Sequence, residues 1–126
     1  MDTDKHVEYW RKGAEEEWEV AQDLFRAKRY RHALFFGHLA IEKMVKAIVT
    51  RETGQVPPKT HNLLRLLDLS GLQGTQEQTT TMRRLNMYQL EGRYPGEISG
   101  ADLGGEKASE LMEEARRVLV WLKTQC

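Results

Sequence analysis

The stretch Tyr30–Ile48, YRHALFFGHLAIEKMVKAI, decides how this chain folds. Ala33, Phe36, Gly37, Ala40, Ile41, Met44, Ala47 and Ile48 recur at i, i+3, i+4, i+7, the spacing of a core-facing helical stripe. The opposite face carries Leu34, Phe35, Leu39 and Val45 and is largely apolar too, but His38, Glu42 and Lys46 run through it at i, i+4. A helix apolar nearly all round is buried nearly all round. Polar groups set in such a surface need partners, since burying one unpaired costs roughly 1–3 kcal/mol. The stretch is therefore predicted to be the central helix of the fold, with a second face that carries a partner surface or a polar site.

Outward from it, the chain reads as helix after helix. A first helix is predicted from an N-cap at Asp4 to about Lys28, with Val7, Trp10, Ala14, Trp18, Ala21, Leu24 and Phe25 as its stripe. The turn to the second helix is very short, which makes the two antiparallel neighbours. The second helix ends near Glu52, before Gly54, Pro57 and Pro58. Thr60 is the predicted N-cap of a short third helix rich in leucine. A fourth covers about Thr75–Arg93, and a Gly-rich loop follows Pro95. A fifth, about Glu106–Thr124, turns Ala108, Leu111, Met112, Ala115, Val118, Leu119 and Leu122 inward. No stretch alternates as a strand does. The predicted fold is all-α, an antiparallel up-and-down bundle of four to five helices forming one domain over residues 1–126.

Composition narrows the function classes. The 126 residues carry 19 basic and 19 acidic side chains, so no overall basic excess marks a nucleic-acid binder. No apolar run reaches the roughly 18 residues of a membrane span. The N-terminal MDTDKHVEYWRK has no apolar leader core, which predicts a cytoplasmic protein. Cys126 is the one cysteine, so disulfide frameworks and multi-cysteine zinc sites within the chain are excluded. Charge is unevenly spread. Glu15, Glu16, Glu17 and Glu19 are followed by Arg26, Lys28, Arg29 and Arg31, a cluster read as a solvated turn at a helix C-terminus that could also meet phosphate.

Taken in order, DLFRAKRY, HALFFGHLAIEKMVKA, PPKTHNLLRLL, LNMYQLEGRYP and the closing VLVWLK form a recognisable series. It resembles the HEPN domain family, the nucleotide-binding domains shared by higher eukaryotes and prokaryotes, from about Tyr9 to Lys123. The most specific pieces are HLAIEKMVKA (His38–Ala47), PKTHNL (Pro58–Leu63) and RYP (Arg93–Pro95). The resemblance implies a bundle of about five helices that often dimerises. It also implies a frequent partner, a minimal nucleotidyltransferase on a separate chain, with some such pairs acting as toxin and antitoxin. On that basis Leu34, Phe35 and Leu39 are the candidates for dimer or partner contact.

Several branches of that family are metal-independent ribonucleases whose site is an Arg and a His with four to six residues between them, late in the bundle. Here Arg26–His32 and Arg31–His38 satisfy the spacing, but at the start of the bundle. In the late region Arg83, Arg84 and Arg93 have no histidine after them, and none occurs beyond His61. Removing a proton from a 2′-hydroxyl near neutral pH suits His best, and an unperturbed Tyr with pKa about 10 is a poor base. The reading is therefore a non-catalytic binding subunit. The enzymatic alternative is a divergent ribonuclease toxin using Arg83 or Arg93 with Tyr88 or Tyr94, and a third is a structural homo-oligomer.

His38, Glu42, Lys46, His61 and Arg93 are the candidate ligand pocket. His38 and Glu42 at i, i+4 with His61 could bind a metal, but a closed site needs a fourth ligand that the sequence does not offer. They are read instead as hydrogen-bonded within the bundle, with His61 fixing the start of the third helix, and no metal or cofactor is expected. Lys43, Lys46 and Arg93 could hold a nucleotide's phosphates. Equally, Glu42 could pair with Lys46, worth about 0.2–0.5 kcal/mol on a helix surface, or with Arg93. RNA is a possible but not a favoured ligand. The loop Gly96–Gly105 holds Glu97 and Asp102, is unsuited to phosphate and reads as a mobile connection. Trp10, Trp18 and Trp121 fall at core or interface positions.

Overall fold

The computed structural model describes residues 2–93 and 104–126, with side chains described to residue 89 in the first segment. Five helices follow in order: α1 (Thr3–Arg26), α2 (Tyr30–Thr53), α3 (Leu63–Ser70), α4 (Gln76–Arg93) and α5 (Gly105–Gln125). Among the described residues there is no strand, and no helix is long and apolar enough to cross a membrane. The all-α bundle expected from periodicity is the fold observed. Tyr94, most of the glycine-rich loop and the side chain of Arg93 lie outside the described residues.

The helix ends follow local chemistry, and two differ from the sequence expectation. Asp2 rather than Asp4 caps α1, its side chain accepting from the Lys5 N–H at 3.2 Å. Asp4 instead stands in the first turn, where a carboxylate favours the positive end of the helix dipole. Asn62 rather than Thr60 caps α3, its Oδ1 accepting from the Leu64 and Arg65 N–H groups at 3.1 and 3.5 Å. Thr60 acts one step earlier, its hydroxyl accepting from the Asn62 N–H. Thr75 and Gln78 close a reciprocal capping box at the start of α4.

α1 ends in a Schellman motif: the Arg29 N–H donates to the Leu24 carbonyl and the Lys28 N–H to that of Phe25, both at 2.9 Å. Its left-handed residue is Lys28, at φ 62°. Glycine would sit there without the roughly 1–2 kcal/mol that a Cβ costs.

α2 is the hub. Fourteen of its 24 residues are buried, and among the described residues it alone packs against each of the other four helices. Leu34, Ile41, Met44 and Ile48 of α2 meet Leu63 and Leu66 of α3, Met82 and Leu85 of α4, and Leu111, Leu119 and Leu122 of α5 in one core. From α1 the fully buried side chains are only Ala14 and Ala21, small enough to let its axis close on α2. Among the described residues the backbone of α1 comes close to that of α2 and to no other helix. Side chains bridge the gap to α5. Trp18 lies beside Gly37 and Met112, and Glu15 pairs with Lys123 at 2.9 Å. Trp18 and Trp121 are half-buried against the core.

One expectation for this helix is corrected. Leu34, read as a partner contact, is 0% exposed inside the core. The second face of α2 is largely buried by the neighbouring helices, and only Phe35 and Leu39 of the three keep partial exposure.

Candidate functional site

Four of the five sequence-selected pocket residues converge on the buried second face of α2. Glu42 is their centre. Its Oε2 accepts from Lys46 Nζ at 3.0 Å, and its Oε1 lies 3.0 Å from His61 Nδ1. A carboxylate only accepts, so His61 Nδ1 carries its proton here. Helical periodicity stacks His38, Glu42 and Lys46 one turn apart, while the extended segment after Pro57 and Pro58 brings His61 across to them. Lys46 is 6% exposed, and Trp10 of α1 places its ring 5.3 Å from the ammonium. The Glu42–Lys46 pair is therefore a buried pair within α2, one turn apart, rather than a surface pair.

His38, 1% exposed, points away from Glu42 with its other nitrogen. Its Nε2 lies 2.9 Å from the His61 carbonyl, which can only accept, so Nε2 carries the proton and donates. The Asn86 Oδ1 of α4 is a second acceptor at 3.3 Å. Its Nδ1 faces Glu42 Oε1 at 3.8 Å, beyond hydrogen-bond range. His61 is thus docked on α2 twice, by its side chain to Glu42 and by its carbonyl to His38.

Sequence reasoning missed Asn86 and Asn62. Asn86 Oδ1 accepts from the Leu63 N–H at 3.1 Å, and its Nδ2 donates to Asn62 Oδ1 at the same distance. An asparagine in the middle of a helix, where its intrinsic propensity is poor, was the available signal. With Asn62 and Asn86 in place, the opening amides of α3 are satisfied internally. They are not presented to a phosphate.

Burial lowers the pKa of His38 below its ordinary value, and the nearby Glu42 carboxylate offsets this only in part. The folded chain holds His38 neutral where the unfolded chain, with an ordinary value of about 6.5, takes up a proton. The unfolded state then binds more protons, so this residue's contribution is complete above about pH 6.5 and is lost as pH falls. Wild-type protein should melt lower at about pH 5.5 than at about pH 7.5, and His38→Gln should show a smaller gap between the two. Equal gaps in thermal melts of the two proteins would contradict this origin.

Beside the network lies an open depression of about 410 Å³ lined by Lys59, Thr60, His61, Asn62, Asn86 and Gln89. His61, its side chain 38% exposed, reaches it from the network together with Asn62 and Asn86. The surface offers amide, hydroxyl and imidazole groups with one lysine, a hydrogen-bonding groove rather than a nucleophile and its base. Among the described residues no cluster of three His, Cys, Asp or Glu groups is arranged to hold a metal ion.

Of the enzymatic alternative, Arg83 and Tyr88 are described with their side chains, and they do not share a face. Arg83 is exposed and Tyr88 buried, as expected for positions five apart on a helix, which lie about 140° around its axis. Arg31, at nuclease spacing from His38, is exposed while His38 is enclosed.

The model of the HEPN domain family matches residues 7–125. This chain belongs to the HEPN family. The HEPN fold is also seen in an archaeal HEPN homologue of known crystal structure, ST0689, which is 27% identical with a TM-score of 0.74; the match covers 94% of this chain and 96% of that one. TT1696 from Thermus thermophilus superimposes with a TM-score of 0.76 over 95% of this chain and 98% of that one. At 20% identity the likeness is one of fold. A search of curated proteins gave no match. The HEPN motif segments of the sequence are the ones that build the network: HLAIEKMVKA supplies His38, Glu42 and Lys46, and PKTHNL supplies His61 and Asn62.

Proposed function

We propose that this HEPN chain is a non-catalytic binding subunit, a homodimer that works with a minimal nucleotidyltransferase on a separate chain, in nucleotide or substrate binding or in toxin–antitoxin-like regulation. One observation carries the non-catalytic part. The histidines of the bundle interior are engaged, His38 with a backbone carbonyl and His61 with Glu42, and no histidine follows His61. Arg83 and Arg84, in the late region where the family's ribonuclease site lies, then have no following histidine to take a proton from a 2′-hydroxyl. Phe35 and Leu39, half-exposed on α2, are the proposed contact residues. The groove around His61 is the proposed site for a small polar ligand, with Lys59 as its cation.

The test is incubation of purified protein with total RNA in the presence of chelator, alongside Arg83→Ala and Arg93→Ala. Intact RNA in all three is expected. Cleavage by wild type that either variant loses would replace this reading with the ribonuclease one. Co-expression with a minimal nucleotidyltransferase should give a complex that Phe35→Asp and Leu39→Asp weaken. The closed character of the network also suits a second reading, a structural homo-oligomer. Nucleotides that leave the melting temperature unchanged at millimolar concentration, with no complex formed, would favour it.

A further inference from the structure

The α1–α2 turn gathers cations that the fold does not use. Arg26, Lys28, Arg29 and Arg31 fall within six positions, with His32 next, and all are exposed. Arg26 pairs with Asp23. Among the described residues no carboxylate meets Lys28, Arg29 or Arg31, although exposed carboxylates elsewhere are paired, as Glu15 is with Lys123 and Glu113 with Arg116. In a chain of zero formal net charge, this is a concentrated positive end. Lys28 sharpens the point: it stands at φ 62°, where glycine is the easier residue.

Aromatic surface adjoins the cations. Phe25 and Tyr30, half-buried, flank the turn with ring centroids 5.4 Å apart. A recess of about 230 Å³ runs from Phe25 and Arg26 between α1 and α5, past Trp18 to the Glu113–Arg116 pair, its two arginines each held by a carboxylate. Cations along a rim with aromatic faces beside them match a single-stranded polynucleotide, whose phosphates need charge and whose bases stack. Phe25 packs inward on the core and Tyr30 lies against Gly105 of α5, and an acidic protein surface would use the cations but not the part of the rings left exposed.

We infer that the α1–α2 turn is a binding surface for single-stranded nucleic acid, with Lys28, Arg29 and Arg31 on the phosphates. The surface is separate from the groove at His61 and requires neither the partner chain nor catalysis, so it is measured on this protein alone. The probe is a fluorescent oligonucleotide of about twelve nucleotides, as RNA and as DNA, followed by anisotropy. Three contacts predict a slope of log affinity against log salt of about −2, so that raising salt fourfold weakens binding roughly 20-fold. Lys28→Gly, which suits the backbone there, should reduce the slope by about 0.7. Lys28→Glu with Arg29→Glu and Arg31→Glu should abolish binding while circular dichroism and melting temperature stay near wild type. Failure of both oligonucleotides to bind at low salt would overturn the proposal, as would unchanged binding by the folded triple variant. Competition by polyglutamate as effective as by unlabelled oligonucleotide would also overturn it and assign the turn to an acidic protein.

Discussion

Glu42→Ala should lower the unfolding free energy by about 3–5 kcal/mol, the cost of stripping a buried charge of its counter-charge. The loss is specific to this site because Glu42 accepts from both Lys46 and His61 while only 3% exposed. Without it, the Lys46 ammonium remains enclosed between α2 and the Trp10 ring, and the extended segment before α3 loses an anchor on α2. Lys46 is on a long stem, and part of the deficit is recovered if it swings to water. The informative control removes both charges. Glu42→Leu combined with Lys46→Met fills similar volume, and such replacements of buried pairs are often neutral or stabilising by about 1–4 kcal/mol. Urea denaturation of the single and double variants decides the matter. A single variant as stable as wild type would mean that water solvates the pair.

Leu34→Ala should cost about 2–5 kcal/mol, as truncation of a fully buried leucine leaves a cavity that its neighbours fill only in part. Phe35→Ala and Leu39→Ala, on the adjoining positions of the same helix, should cost much less. Neither side chain belongs to the core cluster. Their effect is expected on association instead, read by sedimentation or by capture of a partner chain. The three substitutions thus separate core from contact face within a short length of α2. Should Leu34→Ala leave the denaturation midpoint in place, its position in the core would be wrong.

Much of this arrangement was legible in the sequence because periodicity reports burial directly. The near-continuous apolar surface of Tyr30–Ile48 required neighbours on all sides, and α2 has four. The i, i+4 series His38, Glu42, Lys46 required partners, and His61 is one. The identity of the other partners was not legible. Asn86 is 48 residues from His38 and Trp10 is 36 before Lys46, and nothing in local pattern relates residues that meet only through packing. The misplacement of Leu34 has a simple cause. Periodicity separates two faces of a helix without saying what covers the second, and a hub helix buries that face against its neighbours. Helix starts moved by two residues where competing Asp, Asn and Thr caps stood close together, at Asp2 and Asp4 and at Thr60 and Asn62.

α1 leans its backbone on α2 alone and reaches α5 only through side chains. In native-state hydrogen exchange the bundle should accordingly come apart in order. α1 has one backbone neighbour and two fully buried alanines, so its amides should open as a unit well below the global unfolding free energy. Those of α2 should wait for complete unfolding. Lys46, wedged under Trp10, is the contact that such an opening would first release. Detachment of α1 would free the ammonium, uncover the α2 face beneath it and carry the basic turn outward, so the helix with a single backbone neighbour governs access to a buried charge.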